Sequence, residues 1–481
     1  MKKIKLNELQ RFLKNFFFKI LSLLIATLFN ILLIRHYSEV LLVDGFGRYN
    51  FLITYTTYFH LIITLGLDVV AVREISIDAD KMKVILGAMI PLRFILAAVA
   101  FLGMMLPMIF SSQLRDYGLL LVVFGSSIVF IPLSCQYVFD AYKRLEYPSL
   151  ISVITPIIIY ACAKIFVNHP DDIFAAGLIN TGSIAFIVFM QAGFVVKLYG
   201  GFSFVLDPHI WKRLLKSGII IGFIQITGTM LHYFNIILIE FLLDNTAVGL
   251  FSAAYRAMFM IIMLMGIFHN LMNPILFGNY KKSFADFRNY FNKYLKFMIF
   301  FSYGVTVIFI ILAEYYLNIF YDLTKYHDSL LCFRILMLSL LFMTINSPLH
   351  SGMLAAHREK TLLSIIIFQF VVNVIGNVIL IPRYGIIGSS VATVLTEAIG
   401  LPFYIYYFNK IMPVRIVKNS IIAILSAIPM GLFLFFTPIH YMLRGIIGTG
   451  IMILFAVILR GYTIDEILNI KNSLFSVAKR R

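Results

Sequence analysis

Long apolar runs separated by short polar breaks dominate this chain. A helix that crosses the hydrocarbon core of a bilayer needs about 20 mostly apolar residues. Fourteen runs meet that rule, near 14–34, 49–67, 84–110, 118–142, 149–167, 173–196, 218–242, 248–271, 297–317, 329–354, 361–381, 385–408, 417–438 and 442–460. The breaks at Tyr147-Pro148 and Pro382-Arg383 are short. The runs are continuous rather than alternating, which predicts helices and excludes a closed β-barrel. The expected fold is therefore an all-α polytopic membrane protein with about 14 transmembrane helices, within a range of 12 to 14.

Charge distribution orients the runs. Of the 40 Lys and Arg residues, most fall in alternate connections if the N-terminus is cytoplasmic. Those connections hold Arg73, Lys81 and Lys83; Lys143 and Arg144; Lys212, Arg213 and Lys216; Lys282, Arg288 and Lys293; Arg358 and Lys360; and Lys410, Arg415 and Lys418. The opposite connections hold only Arg35, Arg48, Arg115, Lys164, Lys325, Arg383 and Arg444. This bias predicts an even number of spans with both termini cytoplasmic. A miscounted span would invert every later connection and blur the contrast. The basic N-terminus leads into a run that ends at Arg35-His36 without a small-residue cleavage pattern, so it reads as a first span and not as a cleaved leader.

Composition agrees with lipid as the solvent. The chain is 61% hydrophobic and 13% charged, against about 25% charged in soluble domains. The net charge of +17 is scattered between apolar runs, not gathered on one face, which argues against nucleic acid as a partner. Cys135, Cys162 and Cys332 lie inside apolar runs and read as small buried hydrophobes. In the connection 272–296, Phe277, Tyr280, Phe284, Phe287 and Phe291 recur at helical spacing among lysines, predicting a helix on the inner leaflet.

Two stretches resemble each other. Leu41–Tyr49 and Leu242–Phe251 both place a short polar turn, a glycine and then an aromatic at the start of a helix, six spans apart. An even offset keeps both halves in one orientation. The predicted organisation is a six-helix lobe over 1–200 with a basic amphipathic start, a linker over 201–217, a second six-helix lobe over 218–410, and a helix pair with a basic tail over 411–481. A central cavity between the lobes is the expected substrate path.

Ionisable residues inside the runs are costly in lipid and mark a cavity or a partner. Arg93, Arg256 and Arg334 sample different depths, and the planar guanidinium fork suits phosphate. They are the candidate substrate-binding residues, although Arg334 lies near enough to a helix end to reach the interface instead. Asp68 and Arg73 are the expected residues of a cytoplasmic mouth, Arg73 in a segment that also carries a family resemblance. Glu397, Glu240 and Asp140 are the candidates for a coupling ion, a proton or sodium, with static pairing to an arginine as the competing reading. His60, His232, His269 and His350 have no spacing that builds a metal site. No Gly-rich phosphate loop and no catalytic constellation appears, so neither an enzyme nor a resident cofactor or metal is expected.

Four stretches carry a resemblance to a family. They are the basic amphipathic N-terminus; the segment with Gly66-Leu67 and Arg73-Glu74; the segment with Val248-Gly249, Ala254 and Arg256; and the segment from Asn373 to Thr393. The last fits Asn-x-x-x-Asn-x-x-Leu-Ile-Pro-x-x-Gly-x-x-Gly-Ala-x-x-Ala-Thr at every fixed position except Ser389. Over about residues 10–410 the chain resembles the polysaccharide (O-antigen and O-unit) flippases of the multidrug/oligosaccharidyl-lipid/polysaccharide exporter superfamily. The resemblance implies a two-lobed bundle of alternating access that moves an undecaprenyl-pyrophosphate-linked oligosaccharide from the cytoplasmic to the periplasmic leaflet. Its implied partners are that lipid-linked substrate, membrane lipids and other polysaccharide assembly proteins. Two alternatives stand beside it. One is a cation-coupled multidrug exporter of the same superfamily, for which an acidic cavity is expected. The other is a membrane-embedded sugar polymerase or glycosyltransferase, which would need a larger outer loop.

Overall fold

The computed structural model describes residues 22–462 except 143, 145 and 202. The basic N-terminal segment and most of the basic C-terminal tail lie outside the described residues. Within them the secondary structure is helical, with no strand. The chain divides into two compact units, the first ending at Ile237 and the second beginning at Leu238.

In the first unit α1 spans Ser22–Val40, α2 Leu42–Thr64, α3 Leu67–Ile77 and α4 Met82–Met105. The short α5 (Ser112–Asp116) leads to α6 (Gly118–Gly125), α7 (Gln136–Ala141), α8 (Glu146–Phe166) and α9 (Ile173–Tyr199). The long α10 (Pro208–Leu242) carries the chain into the second unit. There follow α11 (Asn245–Lys282), α12 (Phe284–Ile311), the short α13 (Ala313–Leu317), α14 (Asp328–Ala355), α15 (Glu359–Asn409), α16 (Ile416–Phe436) and α17 (Tyr441–Ile458).

Twelve helices among the described residues are long and apolar enough to cross a membrane. One of them, α15, is two helices joined at Gly385, whose φ of 59° and ψ of −140° interrupt the helix. Pro382 removes a backbone donor one turn earlier, and only glycine adopts that φ without strain, so the break is local chemistry. The run near 49–67 forms α2, which also carries Asp44, Arg48 and several tyrosines. The predicted all-α, polytopic architecture is what the chain adopts.

Helix starts follow capping rules. The Asp244 carboxylate accepts from the Ala247 N–H at 2.7 Å and opens α11. The Ser283 hydroxyl accepts from the Asp286 N–H and opens α12. This corrects the expected surface helix over 272–296, because α11 runs to Lys282 and α12 begins two residues later. Phe287 and Phe291 are fully buried, and Phe291 stacks on Phe408 at 4.4 Å between ring centroids. A buried hairpin and a surface helix share the same apolar period, so spacing alone could not tell them apart.

One span of the first unit is broken. Between α6 and α7 the backbone passes through two 3-10 turns, Ser126–Val129 and Ile131–Leu133, the second containing Pro132. Ser134 is extended, at φ −61° and ψ 127°. Irregular backbone at membrane depth is tolerated only where protein supplies the missing partners. Here the neighbouring helices supply them.

Candidate functional site

Each unit holds a buried polar cluster. In the first, Arg93 of α4 has no exposed surface. One guanidinium nitrogen donates to the Asp68 carboxylate at 2.5 Å, and the other donates to the Ser134 carbonyl at 3.2 Å. Its guanidinium carbon lies 5.3 Å from the centre of the Tyr137 ring. The Nε donor has no partner. Leu67, Val70, Met89, Leu92 and Cys135 pack in the apolar core that surrounds these groups. An arginine so placed would be intolerable without its carboxylate, and the break in the span makes the Ser134 carbonyl available to it.

The cluster extends beyond the ion pair. The Ser134 hydroxyl and the Cys135 N–H both donate to Gln191 Oε1 of α9 at 3.2 Å. Gln191 Nε2 donates to Gln136 Oε1 at 3.1 Å, and Gln136 Nε2 donates to Asp140 Oδ1 at 3.3 Å. Asp68 and Asp140, two carboxylates picked out for separate roles, thus lie at the two ends of one chain of contacts through Arg93, Ser134, Gln191 and Gln136. Asp68 keeps 39% of its side chain exposed, and Asp140 is exposed. Arg73 is exposed five residues beyond Asp68 on α3.

The second unit centres on Glu397, mid-way along the second half of α15. Its carboxylate accepts from Asn346 Nδ2 of α14 at 3.0 Å. Gln369 of the first half of α15 donates to the Thr396 carbonyl and accepts from the Tyr404 hydroxyl at 3.1 Å. Asn373 Nδ2 donates to Thr396 Oγ1, and Asn377 Nδ2 donates to the Asn373 carbonyl at 2.8 Å. All seven side chains, Asn346, Gln369, Asn373, Asn377, Thr396, Glu397 and Tyr404, are buried. Among the described residues no cationic side chain makes an ion pair with Glu397. The first asparagine of the Asn-x-x-x-Asn motif therefore ties the two halves of α15 together, and the second braces it from one turn along the same half. At Gly400 a Cβ would run into Gln369, so the same packing demands glycine there.

The remaining candidates are dispersed. Glu240 is 1% exposed near the end of α10, and Arg256 is half-buried in α11, close to Tyr321. Arg334 is half-buried near the start of α14. His269 gathers Ser347 Oγ at 2.9 Å, Ser351 Oγ at 3.2 Å and Tyr294 OH at 3.2 Å. His60 meets Ser127 Oγ at 2.8 Å. Among the described residues no group of three or more His, Cys, Asp or Glu could hold a metal ion. The sequence reading missed Ser134, Gln136, Gln191, Asn346, Gln369 and Tyr404. Amides inside apolar runs were the available signal, because buried amides in lipid must find partners.

Comparison with known proteins places these clusters in a family context. The family described as polysaccharide biosynthesis protein matches residues 12–277. A putative O-antigen transporter of Escherichia coli (strain K12) is 23% identical over 242 residues, 48% of this chain and 55% of that protein. An uncharacterized membrane protein of Methanocaldococcus jannaschii is 41% identical over 70 residues, 15% of this chain and 17% of its own length. The chain thus spans at most about half the length of these curated relatives. Among solved structures, the lipid II flippase MurJ in an inward closed conformation superposes with a TM-score of 0.73 at 15% identity, covering 93% of this chain and 98% of that one. An inward-facing multidrug resistance transporter of the MATE family gives 0.64 at 15% identity, covering 84% and 99%. The fold is the one shared by these transporters. Since the matched residues make up more than half of its length, the chain belongs to the polysaccharide biosynthesis protein family.

Proposed function

We propose that this protein is a flippase that carries an undecaprenyl-pyrophosphate-linked oligosaccharide, such as an O-antigen repeat unit, from the cytoplasmic to the periplasmic leaflet by alternating access. The observation that carries this reading is the nearly end-to-end likeness in fold to a lipid II flippase in a chain of a polysaccharide biosynthesis family. The bilayer in question would be a bacterial inner membrane, with both termini cytoplasmic, as the Lys/Arg bias expects.

The residues divide the work as follows. Arg256, half-buried, is the proposed pyrophosphate contact, where a bidentate guanidinium matches paired oxygens. Arg93 offers cargo no surface, so its role is to position Asp68. Asp68, with Arg73 nearby, stands at the proposed cytoplasmic mouth, where an arginine-held carboxylate hydrogen-bonds sugar hydroxyls. Glu397, caged by neutral amides, is the proposed carrier of the coupling ion, with Asp140 and Glu240 as the other carboxylates to test. Catalysis is not part of this reading.

The MATE likeness supports a second reading, export of a cationic drug by the same fold. One experiment separates the two. A host strain lacking the gene is complemented with wild type, Arg256→Ala and Asp68→Asn, then scored for surface polysaccharide ladders and for drug resistance. The flippase reading expects ladders restored by wild type and lost in Arg256→Ala, with resistance unchanged. Restored resistance without ladders would overturn it in favour of drug export.

A further inference from the structure

A depression of about 520 Å³ opens on the second unit where three breaks in helical structure meet. They are the turn between α10 and α11, the start of α14, and the Gly385 kink of α15. A side chain added at Gly385 would meet nothing within 4 Å, so the kink leaves real space beside it. The walls are mostly aliphatic, with Leu250, Leu331 and Ile387 among them, and Leu331 is 49% exposed. The polar lining is confined to His327, Asp328, Arg334 and Tyr384.

Two of these carry opposite charges that do not meet. Arg334 makes no hydrogen bond or ion pair among the described residues. Asp328 has only the loose contact of His327 Nδ1 at 3.7 Å, and its side chain is 76% exposed. Arg334 lies six residues along α14 from Asp328, which is about 9 Å of axial rise. The polar layer on each side of a bilayer is about 5–8 Å thick. A helix that enters the bilayer at Asp328 would carry Arg334 about one headgroup layer deeper, to the boundary with hydrocarbon. A guanidinium there, half-buried and without a protein partner, attracts the phosphate of a lipid headgroup. An acid one step further into the water suits a cation.

We propose that this depression binds a phospholipid of the surrounding bilayer with a zwitterionic phosphoethanolamine headgroup. The lipid phosphate takes two N–H donors from Arg334, and the ammonium faces Asp328. The acyl chains run down the aliphatic wall at Leu331 and Ile387. A phosphatidylglycerol headgroup would satisfy Arg334 with its phosphate but brings only neutral hydroxyls to Asp328, so the acid favours the lipid that carries an ammonium. The site lies at the end of α14 that the Lys/Arg bias assigns to the outside, and it does not depend on the transport reading.

Native mass spectrometry of the full chain, released from nanodiscs of equal phosphatidylethanolamine and phosphatidylglycerol, tests this. Wild type should keep one phosphatidylethanolamine in preference to phosphatidylglycerol. Arg334→Ala should lower its occupancy roughly tenfold, the effect of losing one charge-assisted contact. Arg334→Lys should retain most of the occupancy, which guards against a folding artefact. Asp328→Asn should keep a bound lipid but lose the preference. Unchanged occupancy in Arg334→Ala, or an unchanged preference in Asp328→Asn, overturns the proposal. So does displacement of the phospholipid by equimolar undecaprenyl pyrophosphate, which would assign the site to cargo. The readout is bound mass, so its failure leaves the transport reading standing.

Discussion

Arg93 and Asp68 form an ion pair of unequal partners: the arginine has no exposed surface, whereas 39% of the aspartate side chain is open. The arginine is thus committed to the interior of the first unit, and the aspartate is presented by it. Removing one partner of a buried pair leaves an uncompensated charge and costs about 3–5 kcal/mol, with the lower end apt here because Asp68 is partly solvated. Asp68→Ala should lower thermal stability in detergent markedly. The double variant Asp68→Ala/Arg93→Met should recover much of the loss, because the stranded charge is gone. Thermal unfolding of both variants checks this, and a double variant no more stable than the single one would remove the pairing argument.

A second tight relationship joins the α2–α3 turn to α10. Gly66 takes a positive φ of 71°, and a side chain at Gly222 would come within 2.7 Å of the Leu65 carbonyl carbon. Contacts of backbone on backbone cannot yield as a flexible side chain can. Trp211 Nε1 donating to the Ala88 carbonyl at 2.9 Å and Arg213 paired with Glu74 at 3.2 Å hold the same surfaces together. Gly222→Ala should cost about 1–3 kcal/mol, read as a lowered melting temperature. Gly228→Ala in the same helix meets nothing within 4 Å and should be nearly neutral.

Most of the architecture was legible because lipid leaves so few options. Long apolar runs must become helices, and among the described residues the runs fall in observed helices, two of them in the two halves of α15. The hairpin at Ser283 was not legible, since Phe287 and Phe291 have the same period whether they face lipid or a core. At the site, single charges stood out but their partners did not. Arg93 and Asp68 were both singled out, yet 25 residues of sequence gave no sign that they pair. Ser134 acts through a carbonyl that becomes available only where Pro132 breaks the helix. Backbone groups carry no residue signature. The Gln191 and Asn346 amides were visible as polar positions in apolar runs, but their targets lie 55 and 51 residues away.

Asp172 allows a test of electrostatics outside the spans. Its carboxylate accepts from the backbone N–H groups of Asn168 and His169 at 2.8 Å each. These bonds favour the charged form and hold its pKa below the ordinary aspartate value. A depressed folded-state pKa contributes stability above the unfolded value of about 3.9, and that contribution fades as pH falls through the lower folded value. The melting temperatures of wild type and Asp172→Ala should therefore differ at pH 6 and converge towards pH 3. A gap that widens on acidification would reverse the sign and refute the assignment.

Glu397 separates a structural role from a coupling role. Its carboxylate accepts from Asn346, and the Gln369, Asn373 and Thr396 side chains pack the same core. Glu397→Leu strands the Asn346 donor and should destabilise by about 1–3 kcal/mol, the cost of an unsatisfied buried group. Glu397→Gln keeps the shape and the acceptor oxygen, so its melting temperature should stay near wild type. If Glu397 carries the coupling ion, Glu397→Gln should nonetheless lose the dependence of transport on the proton or sodium gradient, because an amide cannot take up or release the charge. The measurement is delivery of lipid-linked oligosaccharide in proteoliposomes, with each gradient imposed or collapsed. Gradient-dependent transport that survives intact in this variant would reduce Glu397 to a packing residue and move the search to Asp140 and Glu240.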